Sequence, residues 1–369
     1  MSANGLGRPL RVGIIGAGVI SHAHMAAFAA RPDRVVLAAV CDPQQPLAEA
    51  LAREGRDAAV YTNHRSMLAE AGIEAAIIAT PHFLHAPLAE DCLVAGKPVL
   101  VEKPLACTLQ EMRRLRDLSA AHGVAVVAGQ MRRFEPEITW LKRWIAEAPE
   151  NFGELRSFDL QSWQNLEGYL YRSGAGLKHW LLDGKRAGGG VVISLAIHQL
   201  DLVRYLFDVD FEAVTASGRF DPPFHNGAES AASVLLRMSN GATGLLHANY
   251  LAPRVPFCEA FTAYGANGTI IQHVDKRGEY RGGFAYASSG GLPTTEWEQQ
   301  WLGFAPVPAL AFDGQDTNSF VNQLVAFADA VQAGAAPRNS LDENFNTIAC
   351  IEAIHESLRS GATVAVQKN

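Results

Sequence analysis

The chain has 369 residues, 48% of them apolar, and a net charge of −7. That length suits about two domains, and the apolar share can fill two cores. The acidic balance, with Lys and Arg scattered and no basic stripe, argues against a nucleic-acid partner. Five cysteines, Cys41, Cys92, Cys107, Cys258 and Cys350, lie far apart without a CxxC pair. Neither a disulfide framework nor a metal site is indicated, and a cytoplasmic location is expected. The segment Met1 to Pro9 lacks the apolar core of a signal peptide, and no membrane span is read anywhere.

From Leu10 to about Gly129, short runs rich in Val, Ile and Ala alternate with longer amphipathic stretches. That is the rhythm of βα units on a parallel sheet. Strands are predicted at 10–15, 35–41, 75–79, 98–101 and 124–128, and crossover helices at 44–54, 83–95 and 109–122. The order predicts an α/β fold with a Rossmann domain over 1–130. The rhythm changes near Arg132. A helix is predicted over 138–146 and strands at 155–163, 213–219, 230–238, 243–250, 258–264 and 269–272. Consecutive strands without helices between them imply an open, mainly antiparallel sheet in an α+β domain over 131–369. The stretch 282–308 shows no periodicity and reads as a long surface loop or an arm towards a neighbouring subunit. Helices over 320–333 and 344–358 close the chain, with Gly334 and Gly361 as stop signals; these C-terminal helices are able to pack back on the first domain.

Gly16-Ala17-Gly18-Val19-Ile20-Ser21 follows the first strand and opens a helix. Glycines there permit a tight turn and let a dinucleotide's diphosphate approach the backbone amides, where the helix dipole favours negative charge. The third glycine of this fingerprint is replaced by Ser21. A purely structural strand-to-helix turn is the competing reading. Asp42 ends the second strand, where a carboxylate suits ribose hydroxyls and repels a 2′-phosphate, so NAD is favoured over NADP. A turn role before Pro43 is the alternative for Asp42.

Two loops follow strands that open on the same carboxyl edge: Thr80-Pro81-His82-Phe83-Leu84-His85 and Glu102-Lys103-Pro104. Lys103 is thereby an ionisable amine delivered where a bound cofactor would end. Further on, Gly188-Gly189-Gly190 leads into an apolar helix carrying Ser194 and His198 at i and i+4 on one face. A single histidine on such a helix is commonly a core residue; its glycine-rich approach and the polar Ser194 favour a site. Arg132, Arg133, Trp163, Tyr169 and Trp180 lie in segments expected to border the cleft, where guanidinium forks and aromatic faces suit carbohydrate recognition; packing or surface pairing is the alternative for each, and none is read as catalytic.

The marks Gly16-Ala17-Gly18, Thr80-Pro81 with His85, the run Ala95-Gly96-Lys97-Pro98-Val99-Leu100-Val101-Glu102-Lys103-Pro104 and the segment Gly188 to Asp201 resemble the Gfo/Idh/MocA group of oxidoreductases. The resemblance covers nearly the whole chain. It implies NAD(P)-dependent oxidation or reduction of a sugar, cyclitol or polyol, and a homodimer or homotetramer built on the sheet domain. It also implies that Lys103 contacts the reacting hydroxyl and that His198 is the general base; a hydroxyl at Ser194 cannot supply a charge to His198 but can hydrogen-bond a substrate hydroxyl. Glu102, Thr80, Pro81 and His82 would line the nicotinamide ribose, with His85 in the same cofactor-binding set as Gly16, Gly18, Val19, Ile20 and Asp42. One departure stands out: Ser194 occupies a position where inositol-dehydrogenase-like members carry aspartate. Two other functions share this framework, a cofactor-binding regulator without turnover and an enzyme that uses NAD transiently to cleave glycosides.

Overall fold

A computed structural model describes residues 8–56, 58–147, 149–172, 174, 176–252, 257–275, 285–288 and 315–369. The chain divides into two compact units, Met1–Glu135 with Gln315–Phe345, and Pro136–Gly314 with Asn346–Asn369.

The first unit holds a six-stranded sheet in the order β3-β2-β1-β4-β5-β6, formed by Leu10–Ile15 (β1), Val35–Cys41 (β2), Ala59–Tyr61 (β3), Ala75–Ile78 (β4), Val99–Glu102 (β5) and Val126–Gly129 (β6). Every pairing is parallel. Helices Val19–Ala30 (α1), Gln45–Glu54 (α2), His64–Glu70 (α3), His85–Val94 (α4) and Leu109–His122 (α5) connect the strands. β4, β5 and β6 are buried at every position, as strands covered on both faces must be. β3 and α3 escape the periodicity argument because β3 has three residues, two of them exposed, so no apolar run announces it. The strand order reverses between β1 and β4, the point at whose carboxyl ends open α/β sheets bind ligands.

The helix Ser319–Ala333 belongs to this unit. Its Val321, Leu324, Phe327 and Ala328 join Met25 and Phe28 of α1 and Leu10, Val12 and Ile14 of β1 in one buried cluster. Burying each of the larger side chains stabilises the unit by about 1.5–3 kcal/mol. α5 starts at a capping box: Thr108 accepts from the Glu111 N–H, and Glu111 reaches back to the N–H groups of Thr108 and Cys107. The turn that carries Lys103 is thus pinned on its downstream side.

The second unit is built on an eight-stranded sheet, β13-β12-β11-β7-β10-β9-β8-β14. Its strands are Leu155–Gln164 (β7), Phe211–Arg219 (β8), Ala231–Met238 (β9), Thr243–Asn249 (β10), Phe257–Gly265 (β11), Gly268–Asp275 (β12), Ala285–Ser288 (β13) and Val364–Ala365 (β14). The sheet is mainly antiparallel, but β7 lies between β11 and β10 and runs parallel to β10. β7 precedes the helical stretch, so no tight hairpin fixes its neighbour, and long connections permit a parallel partner. β9 alternates strictly, with Ala232, Val234, Leu236 and Met238 buried and Leu235 51% exposed. Within the expected loop 282–308, Ala285–Ser288 instead form a strand that extends the edge at β12 through backbone pairing, which no side-chain pattern reveals. The rest of that stretch lies outside the described residues.

Candidate active site

The glycine turn is built against the end of β4. Gly16 has φ +99°, and a Cβ there would stand 2.4 Å from the Ala79 carbonyl oxygen and 2.9 Å from Thr80 Cγ2. Only glycine fits without moving that strand end. Gly18, with φ −86°, caps α1 through its backbone alone; no side chain caps the first turn, and a Cβ at Gly18 would meet nothing within 4 Å. Val19 is 70% exposed. The helix start therefore presents amides to open space, as a diphosphate requires. Ser21, fully buried, sets its hydroxyl 2.8 Å from the Gly16 carbonyl and 2.9 Å from that of Gly18. In place of the third glycine it ties the turn closed.

Asp42 takes the turn role before Pro43 and also reaches the glycine turn. Its Oδ1 accepts the Gln44 N–H at 2.8 Å, an Asx turn, while its Oδ2 accepts the Ala17 N–H at 2.9 Å. The carboxylate thus stands at the glycine turn with remaining lone pairs available to hydroxyl donors.

The next two strand ends are joined by side chains. His85, 1% exposed at the start of α4, has Nε2 at 2.8 Å from the Thr80 carbonyl oxygen and Nδ1 at 2.7 Å from that of Pro104. Burial, the largest influence, pulls its imidazole below the ordinary value, against the two carbonyls and the Glu102 carboxylate. Glu102 itself is 4% exposed: Oε1 lies 2.8 Å from Nε2 of the fully buried His24, and Oε2 accepts the Lys103 N–H at 3.3 Å. His24, on α1, has no sequence signature. Both His85 and Glu102 thus spend their polar atoms inside the protein. Lys103 is half-buried and followed by a cis bond to Pro104, and His82 is 6% exposed with its ring 5.6 Å from that of His85. A continuous path of contacts therefore runs from Gly16 through Thr80 and His85 to Lys103-Pro104.

In the second unit Gly188 ends a short helix with φ +81°, and Gly189 and Gly190 lie close against protein atoms. A Cβ on Gly190 would stand 2.0 Å from the Glu229 carbonyl oxygen, and one on Gly189 would stand 2.4 Å from the His355 ring. Glu229, fully buried, accepts the Gly190 and Val192 N–H groups at 2.9 and 2.8 Å through its carboxylate and the Val191 N–H at 3.0 Å through its carbonyl. His355 lies 3.5 Å from that carboxylate. Burial raises the Glu229 pKa, but His355 and the amides prevail and hold it below the usual carboxylate range. This carboxylate caps the helix that carries the candidate residues.

That helix is not uniformly α. Val192–Ala196 forms a π-turn, followed by the α-helix Ile197–Phe207. A π-turn advances about 4.4 residues per revolution, so positions four apart still share a face. Ser194 is 4% exposed and faces Tyr250, whose phenol is pushed up by burial first and then by the Glu229 and Glu259 carboxylates, with Ser194 opposing them. His198 is half-buried and Asp201 is buried, at 2% exposure. Arg132 and Arg133, in the first unit, are buried and paired with Glu135 and Glu343. Among the described residues no group of three His, Cys, Asp or Glu side chains could hold a metal ion.

A parallel sheet with an uncapped glycine turn, an acidic second-strand end beside it and a lysine at the adjoining edge defines a dinucleotide-dependent oxidoreductase. Residues 10–130 match the oxidoreductase family with an NAD-binding Rossmann fold, GFO/IDH/MocA, and residues 140–271 match that family's C-terminal domain. The chain belongs to the GFO/IDH/MocA family. It is 27% identical to levoglucosan dehydrogenase of Pseudarthrobacter phenanthrenivorans, over 97% of this chain and 98% of that one. It is 37% identical to inositol 2-dehydrogenase 1 of Saccharopolyspora erythraea, over 36% of this chain and 40% of that one. In fold it matches a levoglucosan dehydrogenase solved with NADH at a TM-score of 0.82 and 24% identity, covering 98% of this chain and 100% of that one.

Proposed function

We propose that the protein is an NAD-preferring dehydrogenase that oxidises a carbinol of a sugar, cyclitol or related polyol, or runs the reverse reduction. The observation that carries this reading is the path from the glycine turn through Thr80 and His85 to Lys103, which sets an amine at the same strand edge as the dinucleotide turn. Related dehydrogenases named for levoglucosan, inositol and D-xylose support the substrate class.

The residues fit the cofactor: Gly16, Gly18, Val19 and Ile20 would hold its diphosphate, Asp42 its adenosine ribose, and Thr80, Pro81 and His82 its nicotinamide half. Bound NAD supplies the hydride acceptor. Lys103 stabilises negative charge growing on the substrate oxygen, and His198 takes the hydroxyl proton. Ser194 gives His198 a hydroxyl four residues upstream instead of a carboxylate. Glu102 acts behind the site: bonded to His24 and to the Lys103 amide, it orients the lysine's backbone.

A homo-oligomer is part of this reading, supported by the solvent side of the sheet, where Leu235 and Leu245 pair directly and are 51% and 55% exposed. A cytoplasmic location is likewise proposed, in keeping with five free cysteines.

The test is turnover of levoglucosan, inositols and D-xylose with NAD or NADP, followed by reduced-cofactor absorbance, for the wild type, Lys103→Ala and His198→Ala. A fall of about 10²-fold or more in kcat is expected for each variant. Unchanged turnover in both variants refutes the assignment.

A further inference from the structure

His85 uses both ring nitrogens on main-chain carbonyls of two different loops, Thr80 at 2.8 Å and Pro104 at 2.7 Å, and is 1% exposed. Carbonyl oxygens only accept, so each contact is a hydrogen bond only if that nitrogen carries a proton. A neutral imidazole has one N–H and ties one loop; making both bonds at once requires the protonated ring. The groups facing it are Glu102 and Lys103 from the end of β5, His82 from the turn before α4, and His24 of α1 behind Glu102. Burial disfavours the imidazolium most strongly and Lys103 adds to this, whereas the two carbonyls and Glu102 favour it. The bridge is therefore complete on the acid side of the ring's titration and half-made on the alkaline side.

We propose that His85 is a positioning residue for Lys103: its buried ring, lodged between the Thr80 and Pro104 carbonyls, holds the loop after β4 against the Lys103-Pro104 turn and fixes where the lysine ammonium can stand. This rests on the role given above to Lys103. It separates His85 from the cofactor contacts among which the sequence places it, because no ring nitrogen is left for a ligand.

The test is a double-mutant cycle in the full-length enzyme, pairing His85→Phe with Lys103→Ala and adding His85→Gln as the conservative variant, with NAD affinity measured directly by fluorescence. Expected are a fall of about tenfold or more in kcat for His85→Phe, a smaller one for His85→Gln, and a change in NAD affinity under about threefold. In the Lys103→Ala background the His85→Phe loss should shrink to under about twofold, because the clamp acts through the lysine. Losses that multiply independently, or a loss confined to NAD affinity, overturn the proposal. Imidazole 15N spectra of the wild type from about pH 5 to 9 decide the matter independently, even where His85→Phe does not fold. At least one slowly exchanging His85 N–H is expected throughout, with a second appearing on the acid side of the ring's titration; rapid exchange of the ring N–H at every pH overturns the clamp. If Lys103→Ala retains full turnover, the functional reading fails instead, and the spectra still judge the clamp.

Discussion

Gly16→Ala and Gly18→Ala should separate fold from function within one turn. At Gly16 two penalties add. Alanine at φ +99° costs about 1–2 kcal/mol, since its Cβ clashes with its own backbone. The new Cβ would also lie 2.4 Å from the Ala79 carbonyl oxygen, nearly 1 Å inside ordinary contact, and backbone must move to admit it. Overpacking of that kind costs about 1–3 kcal/mol. The total of about 2–5 kcal/mol corresponds to a Tm lower by roughly 5–15 °C for a unit of this size. Because the displaced carbonyl precedes Thr80, NAD affinity should fall as well. At Gly18 φ is −86° and the Cβ meets open space, so Tm should hold within about 1–2 °C. NAD affinity should still drop about tenfold, since the methyl group occupies the diphosphate's approach. Thermal melts with and without NAD, together with fluorescence titration, measure both. A Gly16→Ala protein with wild-type Tm and affinity, or a Gly18→Ala protein that loses stability but not affinity, refutes the reasoning.

Asp42→Ser removes the charge that opposes a 2′-phosphate, so the ratio of NADP to NAD affinity should rise; an unchanged ratio removes Asp42 from cofactor selection. Glu229→Gln turns one acceptor of backbone N–H groups into a donor at a fully buried position. It should destabilise the second unit by about 2–4 kcal/mol and lower kcat through the displaced His198 helix; urea unfolding with activity assays checks this. The pH response of Glu229 has a definite sign. Its native pKa is depressed below the ordinary 4.5, so its contribution is complete above 4.5 and drains away as pH falls towards the native value. His355→Phe should move that loss to higher pH in acid melts; an unmoved profile separates His355 from Glu229. Burial pushes the Cys41 thiol up to about 11 and those of Cys92 and Cys107 to about 12. A disulfide reagent at about pH 8 should therefore modify these three in the native enzyme far more slowly than in the unfolded chain; rapid native labelling of any of them contradicts that.

What the sequence by itself determined are features each residue needs locally. A glycine turn between an apolar strand and a helix, a strand ending in Glu102-Lys103-Pro104, a strand at β9 and helical spacing over 320–333 all follow from backbone freedom, strand length and burial pattern. Position along the strands then placed the candidate residues on one carboxyl edge, because parallel strands share their direction. Tertiary structure decided the partners. His24 and Glu102 are 78 residues apart, His85 and Pro104 are 19 apart, and Gly190 and Glu229 are 39 apart. No periodicity encodes such pairs, since they arise from which strand ends become neighbours in the sheet order. The parallel neighbour of β7 and the strand at 285–288 belong to the same class, being set by backbone hydrogen bonds that any side chain permits. Ser21, Asp42 and His85 were visible as residues, but their donors and acceptors acquired meaning only when folding removed water and left particular carbonyls and amides as partners.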